Sequence, residues 1–265
     1  MNPSTPTVTC QLSGAVARIR LNRPDVHNAF DHQLIAALVE LLEQLAGDEA
    51  IRVIVLSGEG ASFSAGADLR WMRRMAAASE AENRADAEQL ARLMRTLAFF
   101  PKPTLARVNG AAFGGGVGLI ACCDIAIAVD SARFALTEAR LGLAPAVISP
   151  YVIAAIGARQ ARRWFQTAEQ FDAAQALRID LVHEVVAAEQ LDSTCDRVLN
   201  ALLANGPNAV GECKRLVDRI AGRTLDDQLS VDAQNVALIA RLRVSAEGQE
   251  GLSAFLGKRN AAYRR

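Results

Sequence analysis

The sequence lacks the glycine and serine patterns that identify several large enzyme classes. Its glycines between positions 110 and 118 do not have the G-x-G-x-x-G spacing of a dinucleotide-binding loop, and no G-x-x-x-x-G-K-[ST] phosphate loop occurs. It also contains no G-x-S-x-G elbow of the kind that carries the nucleophilic serine of α/β-hydrolases. The three histidines have no metal-ligand spacing. These absences argue against nucleotide-dependent, serine-hydrolase and metal-dependent chemistry.

An excess of charge of one sign is also absent, since 29 Lys and Arg residues balance 29 Asp and Glu residues. No global field would draw the protein to nucleic acid or to an anionic membrane, so we expect neither as a partner. No apolar stretch is long enough to span a bilayer, and the polar N-terminus lacks the pattern of a signal peptide. The five cysteines include no C-x-x-C pair, which favours free thiols and a cytoplasmic location.

The order of apolar runs and helix breakers predicts an α/β fold with parallel strands. Strand and helix patterns alternate through the first half of the chain, and short apolar runs are typical of strands in buried parallel sheets. The predicted elements are a hairpin at 8–12 and 16–21, a helix after Asp31, strands at 51–56, 104–108, 124–129 and 182–186, a loop at 58–66, and helices opened by Asp68, at 81–100 and at 117–123. Helices dominate from residue 149 onward, as a small subdomain or an oligomerisation arm.

Two glycine-rich stretches, residues 63–69 and 109–118, share a design. Each follows a predicted strand and leads into a helix, and its small residues let the backbone approach a ligand closely. The first amides of a helix have no internal partner and carry the positive end of its dipole. We predict that the N–H groups of Ala65 and Gly115 form an oxyanion hole, a pair of donors for an anionic oxygen. The alternative is that both stretches are tight turns required for packing.

A carboxylate follows at Glu138, within residues 134–142. Thr137 has the character of a helix N-cap, so Glu138 would lie in the first turn of a helix. The helix dipole favours a carboxylate at that position for stability alone. A structural role for Glu138 therefore stands beside a catalytic one.

These three stretches, in this order and spacing, resemble the crotonase (enoyl-CoA hydratase/isomerase) superfamily. Further motifs extend the resemblance over nearly the whole chain: Asn22-Arg23-Pro24 with Asn28-Ala29-Phe30, Lys102-Pro103-Thr104, Cys123-Asp124-Ile125-Ala126, and Glu250-Gly251-Leu252-Ser253-Ala254-Phe255-Leu256-Gly257-Lys258-Arg259. The resemblance implies a crotonase-like spiral of β-β-α units at residues 1–200 and a helical C-terminal trimerisation region at 201–265. It also implies a homo-oligomer, as a trimer or as a hexamer of two trimers.

The same resemblance implies an acyl-CoA substrate that brings coenzyme A with it as a thioester, with no separate cofactor and no metal. Ala65 and Gly115 would hold the thioester oxygen, and Glu138 would be the catalytic acid/base. The residues implied to border the acyl-CoA are Val26, His27, Ala29, Ala67, Asp68, Leu69, Gly114 and Gly118. Lys258 would reach a phosphate of the CoA held by a neighbouring subunit, and a surface lysine without a ligand is the alternative.

Position 118 departs from the pattern of typical hydratases, which place two glutamates around one water. The first glutamate would stand at Gly118, and the second is Glu138. Gly118 together with residues 145–151 resembles a bacterial subgroup whose members hydrate 3-substituted glutaconyl-CoA esters. We therefore predict a hydratase of a branched enoyl-CoA, such as methylglutaconyl-CoA in leucine degradation or isohexenylglutaconyl-CoA in acyclic terpene degradation.

Two other functions stay open. Moving a double bond requires one base that carries a proton between C2 and C4, so a single glutamate also fits an enoyl-CoA isomerase. Gly118 is compatible with an inactive CoA-binding or RNA-binding relative as well, although the balanced charge disfavours RNA. Arg140 is a nearby candidate for binding a distal carboxylate of the substrate, with an exposed salt bridge as the alternative.

Overall fold

Ten strands form two sheets in residues 6–264, the part of the chain that the computed structural model describes. The strands are β1 (Val8–Ser13), β2 (Val16–Leu21), β3 (Val53–Gly58), β4 (Ser62–Ser64), β5 (Thr104–Val108), β6 (Ala111–Phe113), β7 (Ile125–Val129), β8 (Arg133–Ala135), β9 (Gln170–Asp172) and β10 (Glu184–Val186). The larger sheet has the order β1-β2-β3-β5-β7-β10, and the smaller has the order β4-β6-β8-β9. Pairing is antiparallel between β1 and β2 and between β8 and β9, and parallel elsewhere.

Helices surround these sheets and make up most of the last third of the described chain. They are α1 (His32–Gly47), α2 (Leu69–Ala76), α3 (Glu80–Ala98), α4 (Gly115–Cys122), α5 (Ser149–Thr167), α6 (Ala173–Arg178), α7 (Leu191–Leu203), α8 (Pro207–Ile220), α9 (Leu225–Val244) and α10 (Ala246–Leu256). Short 3-10 turns occur at Pro24–Val26, Glu138–Leu141 and Ala188–Gln190. None of the helices within residues 6–264 combines the length and the apolar character that crossing a membrane requires.

From β3 to β8, each pair of consecutive strands contributes one strand to each sheet. The first members of the pairs, β3, β5 and β7, lie side by side in the larger sheet, and the second members, β4, β6 and β8, lie side by side in the smaller one. A helical segment follows each pair before the next begins. The predicted spiral of β-β-α units and the predicted α/β class are therefore confirmed.

Local chemistry explains where the main elements begin. All six residues of β3 are buried, as a strand with a layer on each face requires. The Asp31 side chain accepts from the amide of Leu34 and so caps α1, and Asp68 accepts from the amides of Arg70 and Trp71 at the start of α2. Ser79 and Glu82 form a reciprocal capping box at the start of α3.

The strands of the smaller sheet are the elements that the sequence did not predict. The segment 58–66, predicted as a loop, contains β4, and the short strands β6, β8 and β9 follow no alternating pattern. Each of these strands is three residues long, so a period of two residues has no room to appear. Their pairing depends on segments that lie far apart in the sequence.

The last two helices fold back over the core of their own chain. The helix α9 packs along α3, and α10 packs against α2 and the 138–141 turn. Ion pairs between Arg95 and Asp232 and between Arg243 and Asp86 join α9 to α3. The predicted division at residue 200 falls within α7, which ends at Leu203, and the oligomerisation role of the helices beyond it stays a prediction.

Candidate active site

A cavity of about 590 Å³ opens where the two glycine-rich loops, the 138–141 turn and the C-terminal helices meet. Ala67 comes from the first loop, Gly114 and Gly115 come from the second, and Glu138 comes from the turn. The helices α2, α3, α9 and α10 supply the remaining walls, chiefly with apolar side chains. The three stretches singled out in the sequence therefore do converge on one space.

The amide of Ala65 is unavailable to a ligand, because it donates to the carbonyl oxygen of His27 at 2.9 Å. The prediction that Ala65 supplies an oxyanion donor is therefore wrong. The bond arises because the chain after β4 pairs with residues 27–30, which directly precede α1 in the sequence. Ala65 still lines the cavity, but its N–H group points into the protein.

The amide of Ala67, two residues further on, has the orientation that Ala65 lacks. Ala67 forms a parallel bridge with Phe30, in which Phe30 N–H donates to Gly66 O at 2.6 Å and Asp68 N–H donates to Phe30 O at 2.8 Å. In extended backbone the N–H groups of neighbouring residues point to opposite sides, so the Ala67 N–H is directed away from Phe30. Within residues 6–264 it has no hydrogen-bond partner, and Ala67 lines the cavity.

The amide of Gly115 opens α4 and faces the same region. It has no acceptor among the described residues, as is usual for the first amide of a helix. A Cβ placed on Gly66 would lie 3.7 Å from the Gly115 nitrogen and 2.8 Å from the Phe113 oxygen. The two loops thus approach at a distance that only glycine at position 66 permits, and its φ of 81° also favours glycine.

Glu138 places its carboxyl group beside these loops. Its Oε1 atom would lie 3.1 Å from a Cβ placed on Gly114. Its Oε2 atom is buried and has no hydrogen-bond partner in the described part of the chain. This burial raises the pKa of Glu138 to about 7, since a carboxylate loses hydration there without gaining a cation. A carboxyl group with that pKa can both take and return a proton near neutral pH.

The surroundings of Glu138 differ from the helix start expected from the sequence. Residues Glu138–Leu141 form a single 3-10 turn, and the Thr137 side chain makes no capping hydrogen bond. The prediction that Thr137 caps a helix is therefore wrong, because the chain turns only once before Gly142 adopts a left-handed conformation with φ 67°. A carboxyl group in so short a turn gains little from a helix dipole, which weakens the purely structural explanation for Glu138.

The C-terminal segment holds the 138–141 turn from outside. The Tyr263 hydroxyl donates to the Arg140 carbonyl oxygen at 2.9 Å. A Cβ on Gly251 in α10 would lie 2.2 Å from the Leu141 oxygen, so the helix and the turn touch through backbone. The Glu250 carboxylate accepts from both Nη atoms of Arg259, at 2.6 and 2.7 Å, and from the Ala262 amide at 2.7 Å. The sequence reasoning missed Tyr263, because no local motif marks it.

Gly118 does not reach the cavity, contrary to its predicted place among the substrate-binding residues. A Cβ on Gly118 would lie 2.4 Å from Cγ2 of Ile148 and 3.3 Å from Cε of Met94. Ile148 occupies the space into which a side chain at position 118 would point, and Ile148 itself lines the cavity. The position of the first hydratase glutamate is therefore filled by an aliphatic side chain.

The other residues predicted to border the acyl-CoA divide into two groups. Ala67, Gly114 and Lys258 line the cavity. The remaining five, which do not line it, are Val26, His27, Ala29, Asp68 and Leu69. Val26 and Leu69 are exposed, whereas Ala29 and Asp68 are buried, and the Asp68 carboxylate is occupied by the start of α2 and by Arg23 at 3.0 Å. Lys258 lines the cavity of its own chain, and its contact with CoA held by a neighbouring subunit stays a prediction.

Positive charge is concentrated on the cavity wall. The lining includes five cations, Arg140, Arg243, Lys258, Arg259 and Arg264, and one acidic residue, Glu138. Two of these cations are paired with carboxylates outside the lining, Arg243 with Asp86 and Arg259 with Glu250, so within residues 6–264 the unpaired positive charge comes from the other three. The side chain of Arg140 forms no ion pair within residues 6–264, so the expected exposed salt bridge is not found there.

The chain is similar to known proteins over nearly its whole length. A family model described as enoyl-CoA hydratase/isomerase matches residues 11–265. A solved structure of an enoyl-CoA hydratase from Shewanella pealeana is 46% identical, with a TM-score of 0.79, and the match covers 97% of this chain and 96% of that one. The crotonyl-CoA hydratase of Syntrophomonas wolfei is 30% identical over 94% of each chain. The 1,2-epoxyphenylacetyl-CoA isomerase of Escherichia coli K12 is 32% identical, also over 94% of each chain.

Proposed function

The chain belongs to the enoyl-CoA hydratase/isomerase family, and from this membership we propose that it adds water to the C2–C3 double bond of a branched enoyl-CoA. The amides of Ala67 and Gly115 bind the thioester oxygen, and Glu138 transfers the proton. One observation carries the proposal: two unpartnered amides from separate loops line the same cavity as a carboxyl group whose pKa is raised to about 7.

The chemistry of hydration matches these three groups. Water adds its oxygen to C3 while the electrons of the double bond move onto the thioester oxygen, which becomes an enolate anion. Two backbone donors stabilise that anion, and losing one donor of such a pair typically costs about 3 kcal/mol in the transition state. The ionised Glu138 carboxylate takes a proton from the attacking water and then returns a proton to C2, so the carboxylate is regenerated in each turnover.

The proposed substrate is a 3-substituted glutaconyl-CoA, such as methylglutaconyl- or isohexenylglutaconyl-CoA. Arg140, Lys258 and Arg264, which line the cavity and form no ion pair within residues 6–264, support an anionic ligand. Ile148, which fills the place of the first hydratase glutamate, supports a site in which water is positioned by other means. The carboxylate of the substrate itself is the group proposed to help orient this water.

The isomerase is the second candidate, and the same position of Ile148 favours it. An aliphatic wall where a hydratase keeps its first glutamate leaves Glu138 as the one carboxyl group in the cavity lining of residues 6–264. Shuttling a proton from C4 to C2 requires one base and no ordered water. The similarity to an isomerase at 32% identity adds a precedent within the family for chemistry other than hydration.

An assay on a panel of thioesters tests the proposal. We expect conjugated 3-methylglutaconyl-CoA to lose its enoyl absorbance as water adds, with crotonyl-CoA and 3-methylcrotonyl-CoA reacting more slowly. Conversion of a 3-enoyl-CoA into the conjugated 2-enoyl-CoA without further hydration would support the isomerase instead. No turnover of any thioester by protein that still binds CoA would support an inactive relative and would remove the proposed reaction.

We also propose that the protein assembles into a trimer or a hexamer. Large apolar side chains of α8 and α9 lie exposed, among them Val217 at 68% and Ile220 at 78%. Together with Leu216, Leu225 and Leu229 they form an apolar surface of the kind that subunit contacts cover. Sedimentation equilibrium at micromolar concentration tests this assembly, and a monomeric mass would contradict it.

A further inference from the structure

One cation of the cavity differs from the other four in its burial. Arg243 lies on α9 and retains only 14% of its side-chain exposure, whereas Arg140, Lys258, Arg259 and Arg264 are exposed. The cavity that it lines is also bordered by apolar side chains from α2, α3 and α9, such as Met75, Leu90 and Ile239. A guanidinium placed among apolar side chains is expensive to keep there unless other groups hold it.

The guanidinium of Arg243 is held in one orientation by groups on α2 and α3. Its Nη1 atom donates to Asp86 Oδ2 at 3.0 Å and to Asn83 Oδ1 at 3.2 Å. The second oxygen of Asp86 accepts from Trp71 Nε1 at 2.7 Å, so the carboxylate is held on both sides. The guanidinium also lies 6.0 Å from the centre of the Trp71 ring. Arg243 is therefore oriented before any ligand arrives.

These contacts use only the Nη1 atom of the guanidinium. Within residues 6–264, Nε and Nη2 of Arg243 have no hydrogen-bond partner. Neither atom is among the fully buried unpartnered atoms, so both keep accessible surface on a side chain that lines the cavity. The Nε–Nη2 edge presents two parallel N–H donors at the spacing of the two oxygens of a carboxylate.

We propose that this edge of Arg243 binds the carboxylate at the far end of the substrate's acyl chain. The inference rests on the proposed function, and it names the residue that separates glutaconyl-type from simple enoyl thioesters. An oriented donor pair within apolar walls rejects a ligand without the matching acceptor, because the donors would then lose their hydration and gain no partner. Arg243 is thus the specificity-determining residue of the acyl site.

Substrates that differ only by the carboxylate give the direct test. 3-Methylglutaconyl-CoA and 3-methylcrotonyl-CoA share one skeleton, and the second lacks the distal carboxylate. In R243M we expect kcat/KM for 3-methylglutaconyl-CoA to fall by about 30- to 100-fold, whereas kcat/KM for 3-methylcrotonyl-CoA changes less than about threefold. The lysine variant R243K should recover part of the loss, because it keeps the charge but not the paired donors.

The ratio between the two substrates separates recognition from folding. Damage to the packing of α9 would lower the activity on both substrates equally, and equal losses in R243M would overturn the proposal. The matched control is R197M, which removes an exposed arginine that pairs with Glu184 at 2.6 Å and does not line the cavity. R197M should leave both values of kcat/KM unchanged.

Binding of saturated thioesters tests Arg243 even if the protein catalyses another reaction. 3-Methylglutaryl-CoA and isovaleryl-CoA again differ by one carboxylate, and neither can be hydrated. Calorimetry should show that the wild type binds 3-methylglutaryl-CoA at least about tenfold more tightly than isovaleryl-CoA, and that R243M removes the difference. Equal wild-type affinities would overturn the role of Arg243, whereas a clear preference without hydration would overturn the proposed reaction alone.

Discussion

Ile148 occupies the space that a side chain at Gly118 would need, since a Cβ placed on Gly118 would lie 2.4 Å from Cγ2 and 2.9 Å from Cβ of Ile148. Glycine at the position of the first glutamate of typical hydratases therefore leaves the space that Ile148, thirty positions later in the chain, occupies. Restoring the glutamate alone would place a carboxylate against a fixed aliphatic side chain. The two positions have to be considered as one feature of the site.

The first prediction concerns this pair. G118E should fold poorly, with a loss of at least about 1–3 kcal/mol in unfolding free energy, because overpacking a buried site forces its neighbours to move. The double variant G118E/I148G should recover most of that stability in thermal unfolding. It should also hydrate crotonyl-CoA faster than the wild type, since two carboxylates can then hold a water. If the double variant were no more stable than G118E, a steric conflict between Glu at position 118 and Ile148 would be contradicted.

The second prediction concerns the pH dependence of the rate. Glu138 must be ionised to take a proton from water, and its pKa is raised to about 7. The value of kcat/KM should therefore rise with pH through about 7 and level off above it, because kcat/KM reports the pKa of the free enzyme. E138Q should lower kcat by about a hundredfold or more while CoA affinity is kept, and its residual rate should lack the inflection. A wild-type profile without an inflection near 7 would contradict the role of Glu138.

The same residue gives a third prediction, on stability. A carboxyl group whose pKa is raised from 4.5 to about 7 binds a proton more tightly when folded than when unfolded. This tighter proton binding stabilises the folded state below pH 4.5, and the stabilisation is lost as the pH rises through about 7. The neutral amide of E138Q does not ionise and so avoids this loss. The unfolding free energy of E138Q should therefore increase by on the order of 2 kcal/mol relative to that of the wild type between pH 5 and pH 8. Urea unfolding at both pH values measures the gain, and parallel behaviour of the two proteins would contradict it.

The fourth prediction uses two tyrosines that differ in their hydroxyl partners. The Tyr263 hydroxyl bonds the Arg140 carbonyl, whereas the buried Tyr151 hydroxyl has no partner in the described chain. Y263F should loosen the 138–141 turn and lower kcat by about three- to tenfold with little change in KM. Y151F, the matched control, should leave kcat unchanged and keep or raise the melting temperature. An unaltered kcat in Y263F would show that the turn is held by other contacts.

The fifth prediction tests the approach of the two glycine loops. Gly66 and Gly14 both have positive φ, 81° and 57°, so alanine at either position is strained by about 1 kcal/mol. Only Gly66 lies beside the catalytic loops, since a Cβ on Gly14 would meet nothing within 4 Å. G66A should therefore lower kcat by at least about tenfold, whereas G14A should affect stability alone. Equal activity in both variants would argue against the paired amides of Ala67 and Gly115.

The choice between Ala65 and Ala67 marks a limit of what the sequence allowed. The 63–69 stretch was expected to supply an amide to the site, and its place at the cavity follows from small residues between a strand and a helix. Which of its amides faces a ligand is decided by the pairing with His27 and Phe30, more than thirty positions earlier. No local pattern contains that pairing, so the sequence alone does not show that the Ala65 amide is bonded within the protein while the Ala67 amide is free within residues 6–264.

Long-range contacts account for the other features that the sequence did not predict. Helix starts at Asp31 and Asp68 were predictable because the capping side chain and its amide partners are neighbours in the chain. Arg243 and Tyr263 reach partners that lie 157 and 123 positions away, at Asp86 and Arg140. Their sequence neighbourhoods look like ordinary polar helix and tail, so only the fold reveals their proximity to the cavity.

The back-folded C-terminal helices have a consequence for how the enzyme becomes competent during synthesis. The glycine loops and Glu138 leave the ribosome well before Arg243, Gly251 and Tyr263, which wall and brace the same cavity. The sheets of a nascent chain can therefore form while the cavity is still open to water. Docking of α9 and α10 then closes this side of the cavity, so a chain in which these helices are undocked leaves Glu138 and the glycine loops in contact with solvent.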